Sequence, residues 1–150
     1  MRDEHKSGEA MTDKGSVLIV DDEEIALANL QHVMLKEGYR VTATDSGAKA
    51  LALLQNQHFD VVLTDLRMEK VDGMAVLNTA RELDPYVEVI MITGHATTES
   101  AVKAMKQGAF YYISKPFRLE EVRKVVSEAM GKSALRREND LLREKLESYR

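Results

Sequence analysis

The sequence predicts an α/β fold, a doubly wound five-stranded parallel sheet with a C-terminal helical extension. Three observations predict it. Short apolar, β-branched runs alternate with segments of helical periodicity, as right-handed βαβ crossovers require. Most of the runs are apolar on consecutive rather than alternate residues, the pattern of strands buried on both faces. Four of them end in polar or charged groups, which places those groups along the carboxyl edge of the sheet, where such folds bind ligands.

Residues 1–15 are polar, charged and aperiodic, and are expected to form a disordered leader. The first strand, Val17-Leu18-Ile19-Val20, runs into the acidic pair Asp21-Asp22. Over 23–37, Ile25, Leu27, Ala28, Leu30, Val33, Met34 and Leu35 recur at helical spacing before Gly38. A short second strand covers 40–44, and a second helix covers 46–55 through Ala50, Leu51, Leu53 and Leu54. The third strand, Val61-Val62-Leu63-Thr64, ends abruptly in Asp65. After a polar loop over 67–72, a helix starts at Gly73, carries Met74, Val76, Leu77 and Ala80, and stops at Asp84-Pro85. The fourth strand, 87–92, leads to Thr93. Thr97 or Thr98 is placed to cap the next helix, which carries Ala101, Val102, Ala104 and Met105 and which Gly108 terminates. The fifth strand, 110–114, ends at Lys115-Pro116, and a last helix begins near Leu119. The expected strand order is 2-1-3-4-5, the flavodoxin-like arrangement. Its switch point, between strands 1 and 3, would gather Asp21, Asp22 and Asp65.

At 150 residues with 44% apolar side chains, the chain suits one domain plus an appendage. It has no cysteine, which excludes disulfides and thiolate metal sites. Nothing at its start reads as a signal peptide or a spanning segment, so a soluble cytoplasmic protein without a membrane partner is expected. The formal net charge of -4 gives no general attraction to nucleic acid, and direct DNA binding by this chain is not expected.

Three aspartates converging on one pocket repel one another. At ~4 Å and an effective dielectric of ~20, each pair costs about 4 kcal/mol before screening. A cation is needed, and an all-oxygen ligand set without histidine or cysteine favours magnesium. Magnesium borrows only one or two carboxylates, which leaves Asp65 free to attack phosphorus and form an aspartyl phosphate, with Lys115 neutralising charge on the transferring oxygens. Thr93 can donate a hydrogen bond to the same group. Taken singly, these residues have a plainer reading: Asp21 and Asp22 cap the first helix, and Lys115 is a surface ammonium.

From about Val17 to Met130 the sequence resembles a receiver domain of a two-component response regulator. The resemblance rests on IVDDEE, VVLTDLRM, MITGHAT and GAFYYISKPF. It implies that Asp65 accepts phosphate from a phosphohistidine of a sensor histidine kinase. It also implies that magnesium is held by Asp22, Asp65 and the backbone carbonyl of Arg67, with Asp21 acting largely through water. Thr93 and Lys115 would hold the phosphoryl group, and Tyr112 would be the aromatic switch. Arg67 and His95 would flank the attacking water and tune phosphate lifetime. The sequence departs from the family pattern in two places. The loop Met68-Glu69-Lys70-Val71-Asp72-Gly73 lacks the usual proline, which should loosen it, and Tyr111 replaces a common aspartate.

Three rival readings exist. A magnesium-dependent aspartyl-phosphate phosphatase of the haloacid-dehalogenase kind carries its nucleophile in a DxD pattern on the first strand, whereas Asp21 and Asp22 are adjacent. A flavodoxin-like cofactor binder needs a phosphate loop there, which Asp-Asp-Glu-Glu would repel. A phosphate-independent dimerisation scaffold with a receiver-like fold is the third.

The receiver is expected to occupy 16–131 and a helical linker, a coiled coil, 132–150. Leu135, Asn139, Leu142, Leu146 and Tyr149 follow 4-3-4-3 spacing, a seam in which Asn139 favours two parallel strands. The alternative is an amphipathic helix that folds back on its own domain or frays. The ITGHAT and KPF segments and an LRREN linker are most similar to the NtrC-type enhancer-binding transcriptional activators. That implies a homodimer through the linker and the helix 4/strand 5/helix 5 face, with ATPase and DNA-binding output domains in a longer protein. The chain contains no GxxxxGK[ST] loop, and no enzyme activity of its own is expected beyond assisting its own phosphorylation and dephosphorylation.

Overall fold

The computed structural model describes residues 14–149, so all but the last two residues of the expected leader lie outside the described residues. The strands are β1 (Ser16–Val20), β2 (Arg40–Thr44), β3 (Val61–Thr64), β4 (Glu88–Thr93) and β5 (Tyr111–Ser114). The helices are α1 (Glu24–Lys36), α2 (Gly47–Asn56), α3 (Gly73–Leu83), α4 (Thr98–Lys106) and α5 (Leu119–Ser148). The sheet is parallel throughout and ordered β2-β1-β3-β4-β5, as expected.

Period-two alternation explains why the central strands read as unbroken apolar runs. Val17, Ile19, Val61 and Leu63 face α1 and α5, where they meet Leu30, Met34, Val122 and Val126. Leu18, Val20 and Val62 face the other way, onto Ala50 and Leu54 of α2 and Val76, Leu77 and Ala80 of α3. Each fully buried aliphatic side chain contributes roughly 1.5–3 kcal/mol, so both faces of β1 and β3 are held where the site is built.

Local signals set the helix starts. Ser46 accepts the Lys49 N–H at the start of α2, and Asp72 accepts the Ala75 N–H at the start of α3. Of the two candidate caps for α4, Thr97 is the one used, in a reciprocal pair with Ser100. Gly38 and Gly108 follow helix ends in the left-handed conformation, with φ of 97° and 104°.

Helix α5 runs unbroken for 30 residues, through Gly131, so the last receiver helix and the expected helical linker form one rod. A single glycine costs a helix about 1 kcal/mol relative to alanine, too little to end one that is anchored on both sides. The two readings of the tail also prove compatible. The helix lays one face back on its own domain, while Leu135, Leu142 and Leu146 stand 59%, 50% and 66% exposed on another. Among the described residues no helix is long and apolar enough to cross a membrane.

Candidate functional site

Main-chain hydrogen bonds continue past the ends of the strands and fix the reactive residues side by side. The Asp21 N–H donates to the Thr44 carbonyl at 3.1 Å, the Asp65 N–H to the Val20 carbonyl at 2.9 Å, and the Lys115 N–H to the Thr93 carbonyl at 2.8 Å. Each residue is thus tied to a neighbouring strand before its side chain is considered. The Lys115–Pro116 peptide bond is cis. Gly73 closes the acceptor loop from below: its N–H donates to the Leu66 carbonyl at 2.8 Å. A Cβ at that position would lie 2.1 Å from the Asp65 carbonyl oxygen, so only glycine fits.

The side chains converge as the strand ends foreshadowed. Lys115 Nζ donates to Asp21 Oδ2 at 2.7 Å, Glu23 Oε1 at 3.0 Å and Asp65 Oδ2 at 3.1 Å. The Lys115 side chain is only 14% exposed, so it is not the surface ammonium of the plainer reading. Asp21, Asp22 and Asp65 each present an oxygen within 4.8 Å of the others. Asp21 and Asp65 are buried, whereas Asp22 is exposed. Three carboxylates, of Asp21, Glu23 and Asp65, thus contact one ammonium, and Asp22 stands beside Asp21 and Asp65. The helix-capping reading is not realised: Glu23 is the N-cap of α1 and no side chain caps the helix, while Asp21 Oδ1 accepts the Glu23 N–H at 2.9 Å in the turn that precedes it.

Burial dominates the titration of Asp21 and pushes its pKa above the ordinary carboxylate value, although Lys115 and the Glu23 N–H pull the other way. For Lys115 the balance is reversed. Burial works against the ammonium, yet hydrogen bonds and charge from Asp21, Glu23 and Asp65 hold its pKa above the lysine range. The surplus of negative charge and the all-oxygen donors of Asp21, Asp22 and Asp65 suit a hard divalent cation.

The remaining expected residues surround this centre. Thr93, the last residue of β4, is fully buried, and its Oγ1 accepts the His95 N–H at 3.1 Å, which leaves the hydroxyl proton to donate elsewhere. The Arg67 N–H donates to Asp65 Oδ1 at 3.3 Å. Arg67 and His95 line the same open cleft of about 710 Å³ as Asp65 and Lys115. Between the adjacent tyrosines the structure makes a clear distinction. Tyr111 is exposed, whereas half-buried Tyr112 hydrogen-bonds through its hydroxyl to Ser100 Oγ on α4. In the loop without proline, Lys70 adopts a φ of 68°.

Two participants escaped the sequence reading. Glu23 reads as one more acidic residue at a helix start, and nothing in its position points to Lys115. Ser100 carried no sign of its contact with Tyr112, since the pairing is made across α4 and β5.

Comparison with known proteins agrees with this geometry. The model of the response regulator receiver domain matches residues 17–127. The regulatory protein AtoC of Escherichia coli K12 is 36% identical over 128 residues, covering 85% of this chain and 28% of the relative. The transcriptional regulatory protein ZraR of the same organism is 35% identical over 119 residues, covering 79% and 27% respectively. The chain thus spans little more than a quarter of the length of these curated relatives. Among solved structures, NtrX from Brucella abortus superposes with a TM-score of 0.80 at 30% identity, covering 86% of this chain and 30% of that one. A CheY-like receiver domain from Methanospirillum hungatei JF-1 superposes with a TM-score of 0.78 at 29% identity, covering 81% and 98%.

Proposed function

The chain belongs to the response regulator receiver-domain family, and from that membership we propose that it is the phospho-accepting regulatory part of a longer, NtrC-type two-component regulator, with Asp65 as the acceptor. The observation that carries the reading is the Lys115 ammonium held between Asp21 and Asp65, with Asp22 beside them. In the proposed reaction a carboxylate oxygen of Asp65 attacks the phosphorus of a phosphohistidine on a sensor kinase. The P–N bond breaks and the imidazole leaves, taking up a proton. Asp21, Asp22, Asp65 and the Arg67 carbonyl would hold magnesium, which supplies positive charge against the phosphoryl oxygens when bound. Lys115 and Thr93 are placed to take up the same oxygens, the first by charge and the second by its hydroxyl proton. Arg67 and His95, at the rim of the cleft, are the candidates for tuning access of water to the acyl phosphate.

The phosphoryl group adds about -1.5 to -2 charges by analogy with other phosphorylated side chains. Drawing Thr93 inward would release Tyr112 from Ser100 and change the face formed by α4, β5 and α5. In this reading 16–131 is the receiver and 132–150 the linker to output domains of ATPase and DNA-binding type. The protein works in the cytoplasm as a homodimer and catalyses nothing beyond its own phosphorylation and dephosphorylation. The test is incubation with a small-molecule phosphodonor and magnesium. An acid-stable, hydroxylamine-labile phosphoryl group is expected on the native chain and none on Asp65→Asn. Labelling that persists in Asp65→Asn overturns the assignment, and labelling that survives removal of magnesium overturns the metal's part in it.

A further inference from the structure

We propose that the pole of the sheet opposite Asp65 is a helix clasp, which binds the polar face of the α5 extension and turns its leucine seam outward. Apolar packing of α5 against the sheet runs through Val122, Val126 and Ala129 and ends near Ser133, which is buried. Beyond that point charge takes over. Arg136 Nη1 donates to Glu88 Oε2 at 3.1 Å, and Lys132 Nζ lies 3.7 Å from the same oxygen. Arg137 Nη2 lies 3.6 Å from Asp84 Oδ2. The Tyr86 hydroxyl donates to Asp140 Oδ2, and the Arg136 and Arg137 guanidinium groups lie 5.9 and 4.7 Å from the centre of the Tyr86 ring.

Glu88 shows why this is more than surface charge. It is the first residue of β4 and 1% exposed, with Arg81 at 4.0 Å as its partner from within the receiver. A buried carboxylate that loses its close cations is strongly unfavourable, and here the two nearest are supplied by the extension. The receiver therefore carries a buried charge whose closest cations come from a correctly placed helix, with Arg81 the more distant partner.

Spacing then decides what the helix shows to the outside. Successive residues of an α-helix are about 100° apart, so Ser133, Arg136, Arg137 and Asp140 share one face, and Leu142 and Leu146 stand about half a turn away. Clasp and seam use opposite sides of one rod and can be occupied together. Receiver and linker then move as one unit, with the two receivers of a dimer carried outside the paired helices. This deepens the linker reading above, but its first part, the docking of the extension, requires neither phosphate nor a second copy.

The test is hydrogen exchange of the full chain, carried out in a Leu142→Asp, Leu146→Asp background so that pairing between copies protects nothing. Replacing Arg136 and Arg137 by alanine is expected to speed exchange of amides over 137–148 roughly tenfold, with no change in β1 or β3. Tyr86→Phe tests the same contact without touching the helix, and should accelerate the same amides. Asp140→Asn should add little once Tyr86→Phe is present. Exchange over 137–148 that is already unprotected before any clasp residue is changed overturns the proposal, and so does exchange that none of these substitutions alters. Failure of the dimer reading would look different: the unmodified chain would stay monomeric while its extension remained protected.

Discussion

Lys115 Nζ stands closer to Asp21 Oδ2, at 2.7 Å, than to the acceptor Asp65, at 3.1 Å. The ammonium is shared, and it leans toward the more buried of the two carboxylates. For Asp21 the contact does not offset burial, which raises its pKa above the ordinary value. The consequence for stability follows from proton linkage. A carboxyl with a raised folded pKa destabilises the fold as pH climbs past its unfolded value, about 3.9, and the penalty is fully present above the folded pKa. Asp21→Asn should therefore raise the thermal midpoint at pH 7 in magnesium-free buffer, and the gain should vanish below about pH 4. Thermal unfolding of both proteins across that range checks it. A variant no more stable at pH 7 would show that the Lys115 contact, rather than burial, governs Asp21.

Gly73 makes a second prediction that involves no charge. The backbone of the acceptor loop occupies the space a side chain would need, with the Asp65 carbonyl oxygen 2.1 Å from a Cβ built there. Backbone cannot swing aside as a flexible side chain can. Gly73→Ala should destabilise the fold by about 1–3 kcal/mol, the usual effect of overpacking, and should also slow phosphorylation because relief comes through movement of Asp65. Denaturant unfolding together with phosphodonor labelling separates the two effects. Unchanged stability would mean that α3 shifts freely away from the loop.

The sheet, its order and the convergence of Asp21, Asp22, Asp65 and Lys115 were legible because strand ends in this fold share one edge. A residue that terminates an apolar run is thereby located in three dimensions. Glu23 was not legible, since its position after β1 gives no hint that its carboxylate turns back to Lys115 rather than capping α1. The clasp was hidden for a similar reason. Tyr86 and Glu88 lie in and after a turn, and their partners lie 54 and 48 residues later. No local periodicity links such segments. Gly131 does not interrupt α5, because a single glycine is tolerated where packing before it and ion pairs after it hold the chain helical.

Ser100 ties the start of α4 to Tyr112, and the same hydroxyl completes the cap with Thr97. Ser100→Ala removes both contacts at once, at an expected loss of about 1 kcal/mol in stability. If Tyr112 reports the state of the α4-β5-α5 face, releasing its hydroxyl should also move the ring without any phosphate present. Resonances of 3-fluorotyrosine at position 112 should then shift in Ser100→Ala toward their values in the phosphorylated chain. A variant whose Tyr112 signal is unmoved would assign Ser100 to capping alone.

The seam makes the last prediction. Leu142 and Leu146 are exposed, on the side of α5 that the clasp leaves free. Two copies pairing there would bury four leucine side chains at these positions, each contributing roughly 1.5–3 kcal/mol, where about 1.4 kcal/mol is tenfold in affinity. Leu142→Asp with Leu146→Asp should weaken self-association in sedimentation equilibrium by at least about 100-fold. Asn139→Leu should act in the opposite sense. It should tighten association while losing the preference for two strands, because the amide that pairing would bury is the polar group that specifies it. Trimers or larger species in Asn139→Leu, against dimers in the native chain, would place Asn139 inside the seam. Equal association in the native chain and the double aspartate variant would move the dimer contact elsewhere, to the face of α4, β5 and α5.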